Sequence, residues 1–304
     1  MGLAQGNGNF IPPDRLKKIL SSGSNVHVPE IIRFFGGQAG GKYRGFQFFM
    51  EKILENQRML EGEFGGKVIF TFPDTALLQT DLFEEFVENK RLREAIAPDM
   101  DDIEVRAEFL KGKFAEARRE LFRKLLSMPE FQGPIAVRSS APEEDGERSS
   151  FAGIFSSVFL PNCHPDPEVR LMQFEAAVKL VFASAFSEDA RAYRKMSGMV
   201  GGLEKMACLV QSVAGRQWGN LYYPEISFAA FKFNDYATNG IDPDDGFIRM
   251  AFGLGPGVVD NQGRTAVRVN MGKPLPIAGM NGTKLQLDYA PQHFWALVLD
   301  QTDA

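Results

Sequence analysis

Hydrophobic and polar positions repeat with two different periods along this chain, and the change of period divides it. Over residues 43–56 apolar side chains fall at helical spacing, with Phe46, Phe49, Met50, Ile53 and Leu54 on one face. Residues 81–89 repeat the pattern, with Leu82, Phe83, Phe86 and Val87 inward. Residues 104–128 read as one long amphipathic helix closed by Pro129. Residues 168–186 read as another, with Val169, Met172, Phe174, Ala176, Leu180 and Val181 on its partly buried face. Short β-like runs at 31–35, 67–72 and 135–137 are interleaved with them. Ahead of these lie a Gly/Asn/Pro-rich arm over 1–13 and a short helical stretch over 14–20. From Lys205 onward extended runs take over, at 206–213, 226–233, 247–253 and 265–269, with glycine-rich turns between them. The pattern predicts an α+β protein: an arm and short helix over 1–29, a helix-rich lobe over 30–204 and a β-rich lobe over 205–304.

Composition narrows the function classes. With 44% hydrophobic and 24% charged residues the chain can build a core and is not a disordered segment. A net charge of −5 argues against a general nucleic-acid binder, which needs a basic excess. Cys163 and Cys208 stand far apart without a C-x-x-C pattern, which argues against a disulfide scaffold and a zinc site. His27, His164 and His293 are isolated and lack metal-ligand spacing, so no metal site is expected from them. No apolar run reaches the roughly 18 residues of a membrane span, and the first residues carry no signal-peptide core. The expectation is a cytoplasmic protein with no membrane partner.

The stretch 135–153 carries the most chemistry. The apolar run Ile135-Ala136-Val137 delivers Arg138 at the end of a strand, followed at once by Ser139 and Ser140. An acidic turn then leads to Ser149-Ser150-Phe151-Ala152-Gly153. A guanidinium fixed at a strand end is an always-charged fork that suits phosphate oxygens. Small residues downstream let backbone N–H groups approach an anion closely. An ion pair of Arg138 with Glu143, Glu144 or Asp145 explains the same residues equally well on chemistry alone. Upstream, Gly36 to Lys42 satisfies G-x-x-x-x-G-K, but Tyr43 stands where a P-loop places the Ser or Thr that holds Mg²⁺. A P-loop fold is therefore not the expectation. Lys42 entering a helix supplies a point charge beside the helix dipole.

These segments together resemble the N-terminal nucleotide-binding (ATP-grasp) region of the phosphoenolpyruvate synthase and pyruvate phosphate dikinase family. Val137-Arg138-Ser139-Ser140, Glu144-Asp145 and Ser150-Phe151-Ala152-Gly153 keep the order of that family's signature, and Gly40-Gly41-Lys42 is similar to its G-G-K. Gln211, at the end of an apolar strand, resembles the glutamine of its V-x-Q-x-M-V. Phe252-Gly253-Leu254-Gly255-Pro256-Gly257-Val258-Val259 resembles G-L-G-E-x-V-V, with Pro256 in place of the glutamate. Phe228 stands where the family tends to have glycine. The resemblance covers roughly residues 30–270.

It implies an ATP-grasp-like two-lobed fold whose second lobe is incomplete. It implies ATP as ligand, with Lys42 and Arg138 as the catalytic phosphate contacts. Gly40, Gly41, Ser139, Ser150, Ala152 and Gly153 would complete the phosphate site, with 150–153 as a lid, and Gln211 would line the adenine end. In the family, ATP phosphorylates a histidine on another domain, which passes the group to pyruvate. Those phosphohistidine and pyruvate-binding domains are the implied partners, on a longer protein. Mg²⁺ is implied too, but the family's late acidic ligands and Q-x-R are not found here: after Val269 only Asp288, Asp300 and Asp303 remain. The alternative is a non-catalytic nucleotide-binding or regulatory module.

Overall fold

The computed structural model describes residues 26–29, 31–65, 67–89, 91–97, 99–142, 144, 154–196, 205–234, 237, 241–259, 265–271 and 291–299. The arm, the first short helix and the expected lid residues Ser150, Ala152 and Gly153 lie outside the described residues. Internal contacts divide the chain into two compact units: Met1–Asn162 with Asp166–Val213, and Cys163–Pro165 with Ala214–Ala304. No helix among the described residues is long and apolar enough to cross a membrane.

The first unit runs β1 (Val26–His27), β2 (Ile31–Phe34), α1 (Gly41–Glu55), α2 (Gln57–Phe64), β3 (Phe70–Thr71), β4 (Thr75–Leu78) and α3 (Thr80–Asn89). It continues through α4 (Leu92–Ala95), α5 (Asp102–Lys111), α6 (Glu116–Ser127), β5 (Ile135–Ser140), β6 (Ser157–Leu160), α7 (Pro167–Ala183), α8 (Glu188–Met196) and β7 (Ala207–Ser212). Its main sheet has the order β2-β4-β7-β5-β6; only β2 and β4 are parallel. The three middle strands are buried along nearly their whole length, which is why they read as short apolar runs rather than as alternation.

The two faces of this sheet are covered differently. Ala76, Leu78, Ile135, Val137, Cys208 and Val210 face the large core, where Phe83, Phe109, Phe122, Phe174 and Phe182 pack. The opposite face contributes Leu77, Ala207 and Leu209 to a small cluster with Tyr43 of α1. By strand alternation Thr75, Arg138, Ser140 and Gln211 belong to that second, sparsely covered face. A polar row on an interior sheet face has a use other than packing.

The helix expected over 104–128 is in fact two. Asp101 starts α5 with a full capping box, its carboxylate accepting from the N–H groups of Ile103 and Glu104 while Glu104 accepts from Asp101 N–H. The chain then breaks at Gly112, which lies so close to the Phe86 ring that a Cβ there would come within 2.5 Å of it. Phe114 turns into the core, 4.7 Å from Phe86 and 5.2 Å from Phe122 between ring centroids. The apolar period carries across the break because Phe114 points inward from a non-helical loop. Two residues expected inward are exposed: Phe49 at 59% and Met172 at 55%.

The second unit holds β8 (Arg216–Trp218), β9 (Leu221–Tyr223), β10 (Ile226–Phe231), β11 (Phe247–Phe252), α9 (Pro256–Val259), β12 (Ala266–Asn270) and β13 (Leu297–Val298). Two antiparallel three-stranded sheets form, in the orders β13-β9-β8 and β10-β11-β12. Tyr223, Phe252 and Phe294 pack edge to face on one another with centroids 5.1–5.3 Å apart. Pro256 opens the α9 turn, where its missing N–H costs nothing.

Candidate functional site

The site is built where the start of α1 docks on the end of β5. Gly40 has φ 80°, and a Cβ there would fall 1.7 Å from the Ser140 carbonyl oxygen, so only glycine lets the two backbones meet. Gly41 N–H donates to the Ala141 carbonyl at 2.8 Å. Ser140, fully buried, clamps the junction: its hydroxyl donates to Ala39 O at 2.8 Å and accepts from Tyr43 N–H at 3.1 Å. Arg44 donates to the Pro142 carbonyl at 3.0 Å. These bonds fix Lys42 in the first turn of α1.

Lys42 Nζ donates to Ser139 Oγ at 2.8 Å and pairs with the Glu144 carboxylate. The Glu144 side chain is only 1% exposed, and its other oxygen accepts from Ala141 N–H at 3.3 Å. A buried carboxylate so placed needs its cation.

Arg138 is the one exposed residue of β5. Its Nη1 donates to Gln211 Oε1 at 3.1 Å. Protein crowding around the guanidinium lowers its pKa from the ordinary arginine value, and the Glu144 charge opposes that shift. Of the two cations, Lys42 is the one that pairs with Glu144. Gln211 is 4% exposed, and its amide nitrogen donates to Thr75 Oγ1 at 3.1 Å. Cys208, opposite Ser139 in the ladder, is wholly buried; burial pushes its thiol pKa up, only partly countered by Lys42.

The structure thus brings Gly40, Gly41, Lys42, Arg138 and Ser139 to one junction, with Gln211 behind Arg138. Of the partners read as an alternative ion pair for Arg138, Glu144 pairs with Lys42, and Glu143 and Asp145 lie outside the described residues. Sequence reasoning missed Thr75 and Ser140 as part of the site; their signal is a polar residue inside a buried strand. Among the described residues no three acidic, histidine or cysteine side chains converge as a metal cluster would require.

The family model for the pyruvate phosphate dikinase AMP/ATP-binding domain matches residues 38–274, from just ahead of Lys42 to beyond β12. The chain belongs to this family. The α+β fold agrees with that membership, and the domain is a nucleotide-binding domain of a phosphotransferase family, with AMP or ATP as its ligand class. An uncharacterized phosphotransferase of Bacillus subtilis strain 168, YvkC, is 27% identical over 190 residues. That match takes in 62% of this chain and 20% of the Bacillus protein, so the chain spans about a fifth of the length of the curated relative it matches.

Proposed function

We propose that this chain is the ATP-binding domain of a phosphoenolpyruvate synthase or pyruvate phosphate dikinase-like phosphotransferase. Lys42 and Arg138 hold phosphate oxygens, with Gly40, Gly41 and Ser139 supplying the close backbone and hydroxyl around them. Ser150, Ala152 and Gly153 are assigned to the nucleotide from the resemblance of their motif alone. In a longer enzyme the phosphoryl group passes to a histidine on another domain and from there to pyruvate. Mg²⁺ would accompany ATP. The observation that carries this reading is that Lys42 of α1 and Arg138 of β5 meet at one junction, Lys42 bonded to Ser139 and paired with the buried Glu144 carboxylate. Such a place is built for an anion, and a phosphate meets the same groups.

Calorimetric titration of ATP and of adenosine tests the assignment. Arg138→Met is expected to weaken ATP by about 30-fold or more, the cost of truncating one desolvated charged contact, and to leave adenosine unchanged. Equal loss of both ligands would remove Arg138 from the phosphate site.

A second reading, nucleotide binding without transfer, is favoured by one residue. Pro256 stands where the resembled pattern has a carboxylate, so the side chain there offers no acceptor to a ribose. Tight ATP binding with no phosphoryl transfer to a supplied histidine domain would select it.

A further inference from the structure

The geometry points to Thr75 and Gln211 as a relay that positions Arg138 for phosphate, an inference resting on the nucleotide reading above. Thr75 on β4 and Ala136 on β5 both pair with Gln211 on β7, and Arg138 lies two residues further along β5. The three side chains therefore share one face of the sheet and sit diagonally adjacent. Thr75 is fully buried, and its hydroxyl donates to the Pro73 carbonyl at 2.8 Å. With its only proton spent there, Thr75 Oγ1 can only accept, and it accepts from Gln211 Nε2 at 3.1 Å. That choice turns the Gln211 oxygen towards Arg138, which can only donate, and the bond forms at 3.1 Å.

The chain of bonds has a single consistent direction, from Arg138 through the amide and the hydroxyl to a main-chain carbonyl. A flipped amide would put N–H groups against the guanidinium and leave Thr75 without a donor. The fork of Arg138 is thus held from behind by a neutral acceptor, which orders it without cancelling its charge. An acidic residue at position 211 would order it equally well and compete with phosphate. Gln211 and Thr75 are positioning residues, acting on nucleotide through Arg138.

The test compares Thr75→Val, which keeps the shape and deletes the hydroxyl, with Thr75→Ser, which keeps the hydroxyl. Thr75→Cys, a weaker acceptor of similar size, serves where the valine variant does not fold. The full 304-residue chain is titrated with ATP and with adenosine, and the Arg138 guanidinium is followed by ¹⁵N NMR without ligand. The valine and cysteine variants are expected to bind ATP about three- to tenfold more weakly, the size of one hydrogen bond's net contribution, with adenosine unchanged. The serine variant is expected to match wild type. The Arg138 N–H protons are expected to exchange faster in the valine variant than in wild type. Folded valine and cysteine variants with wild-type ATP affinity and an unchanged Arg138 signal would overturn the relay and leave the nucleotide reading standing. Wild type that fails to bind ATP would overturn the nucleotide reading. In that case the Arg138 exchange rates alone decide the relay: release on Thr75→Val supports it, and no change sinks it.

Discussion

Replacing Lys42 by methionine is expected to lower both the stability of the chain and its affinity for ATP, and adding Glu144→Gln is expected to restore only the stability. The two losses have different causes. Glu144 is 1% exposed and pairs with Lys42, so methionine removes the cation that its buried carboxylate is paired with. Breaking such a pair from one side costs about 3 kcal/mol, toward the lower end for buried pairs because Lys42 itself keeps 24% of its side chain exposed. A neutral glutamine at 144 removes the stranded charge while still accepting from Ala141 N–H, so chemical denaturation of the double variant should return most of the loss. ATP affinity stays low in both variants, by about 30-fold or more, because the phosphate has lost a charged donor. A double variant that regains wild-type ATP affinity would show that Lys42 serves only to neutralise Glu144.

Gly40→Ala is expected to be the most damaging small substitution in the site. The added Cβ meets a main-chain oxygen, Ser140 O, at 1.7 Å, so no side-chain rotation relieves it. The backbone also sits at φ 80° and ψ 174°, a region that is essentially glycine-only and costs another residue about 1–3 kcal/mol before any clash. Relief requires α1 to lift from β5, which breaks the Gly41–Ala141 bond and the Ser140 clamp. A loss of about 4 kcal/mol or more in urea unfolding is expected, together with loss of ATP binding. Gly62, in α2, whose added Cβ would meet nothing within 4 Å, is the control: alanine there should leave ATP binding unchanged and not lower stability, since alanine is the better helix former by up to about 1 kcal/mol. A Gly40→Ala variant with a wild-type unfolding midpoint would mean that the α1–β5 junction does not close as described.

Much of this architecture was legible in the sequence because it rests on local periodicity. The helical face of Leu82, Phe83, Phe86 and Val87 is buried as its spacing predicts. The strand at Ala207–Ser212 falls within one residue of the apolar run that announces it. The four-residue strand Thr75–Leu78 escaped because it is too short for a period to show and opens on a polar residue. The break at Gly112 escaped because Phe114 keeps the inward period without being helical.

The candidate site divides in the same way. Gly40-Gly41-Lys42 and Arg138-Ser139 were legible as motifs, and the sheet register then brought them together. Which cation Glu144 would choose was not legible. It lies six residues from Arg138 in sequence, yet the turn at Ala141-Pro142 sends its carboxylate to Lys42 on another element. Thr75 was not legible as a partner of Gln211, since only the antiparallel pairing of β4 with β7 sets them side by side.

The claim that Lys42 and Arg138 hold phosphate is tested most directly by a crystal structure of the chain with an ATP analogue that cannot be hydrolysed between its β and γ phosphorus atoms. The expected result is phosphate oxygens about 3 Å from Lys42 Nζ and from the Arg138 guanidinium, with the Glu144 carboxylate displaced from Lys42. An analogue whose phosphates lie elsewhere, with the Lys42–Glu144 pair intact, would contradict it.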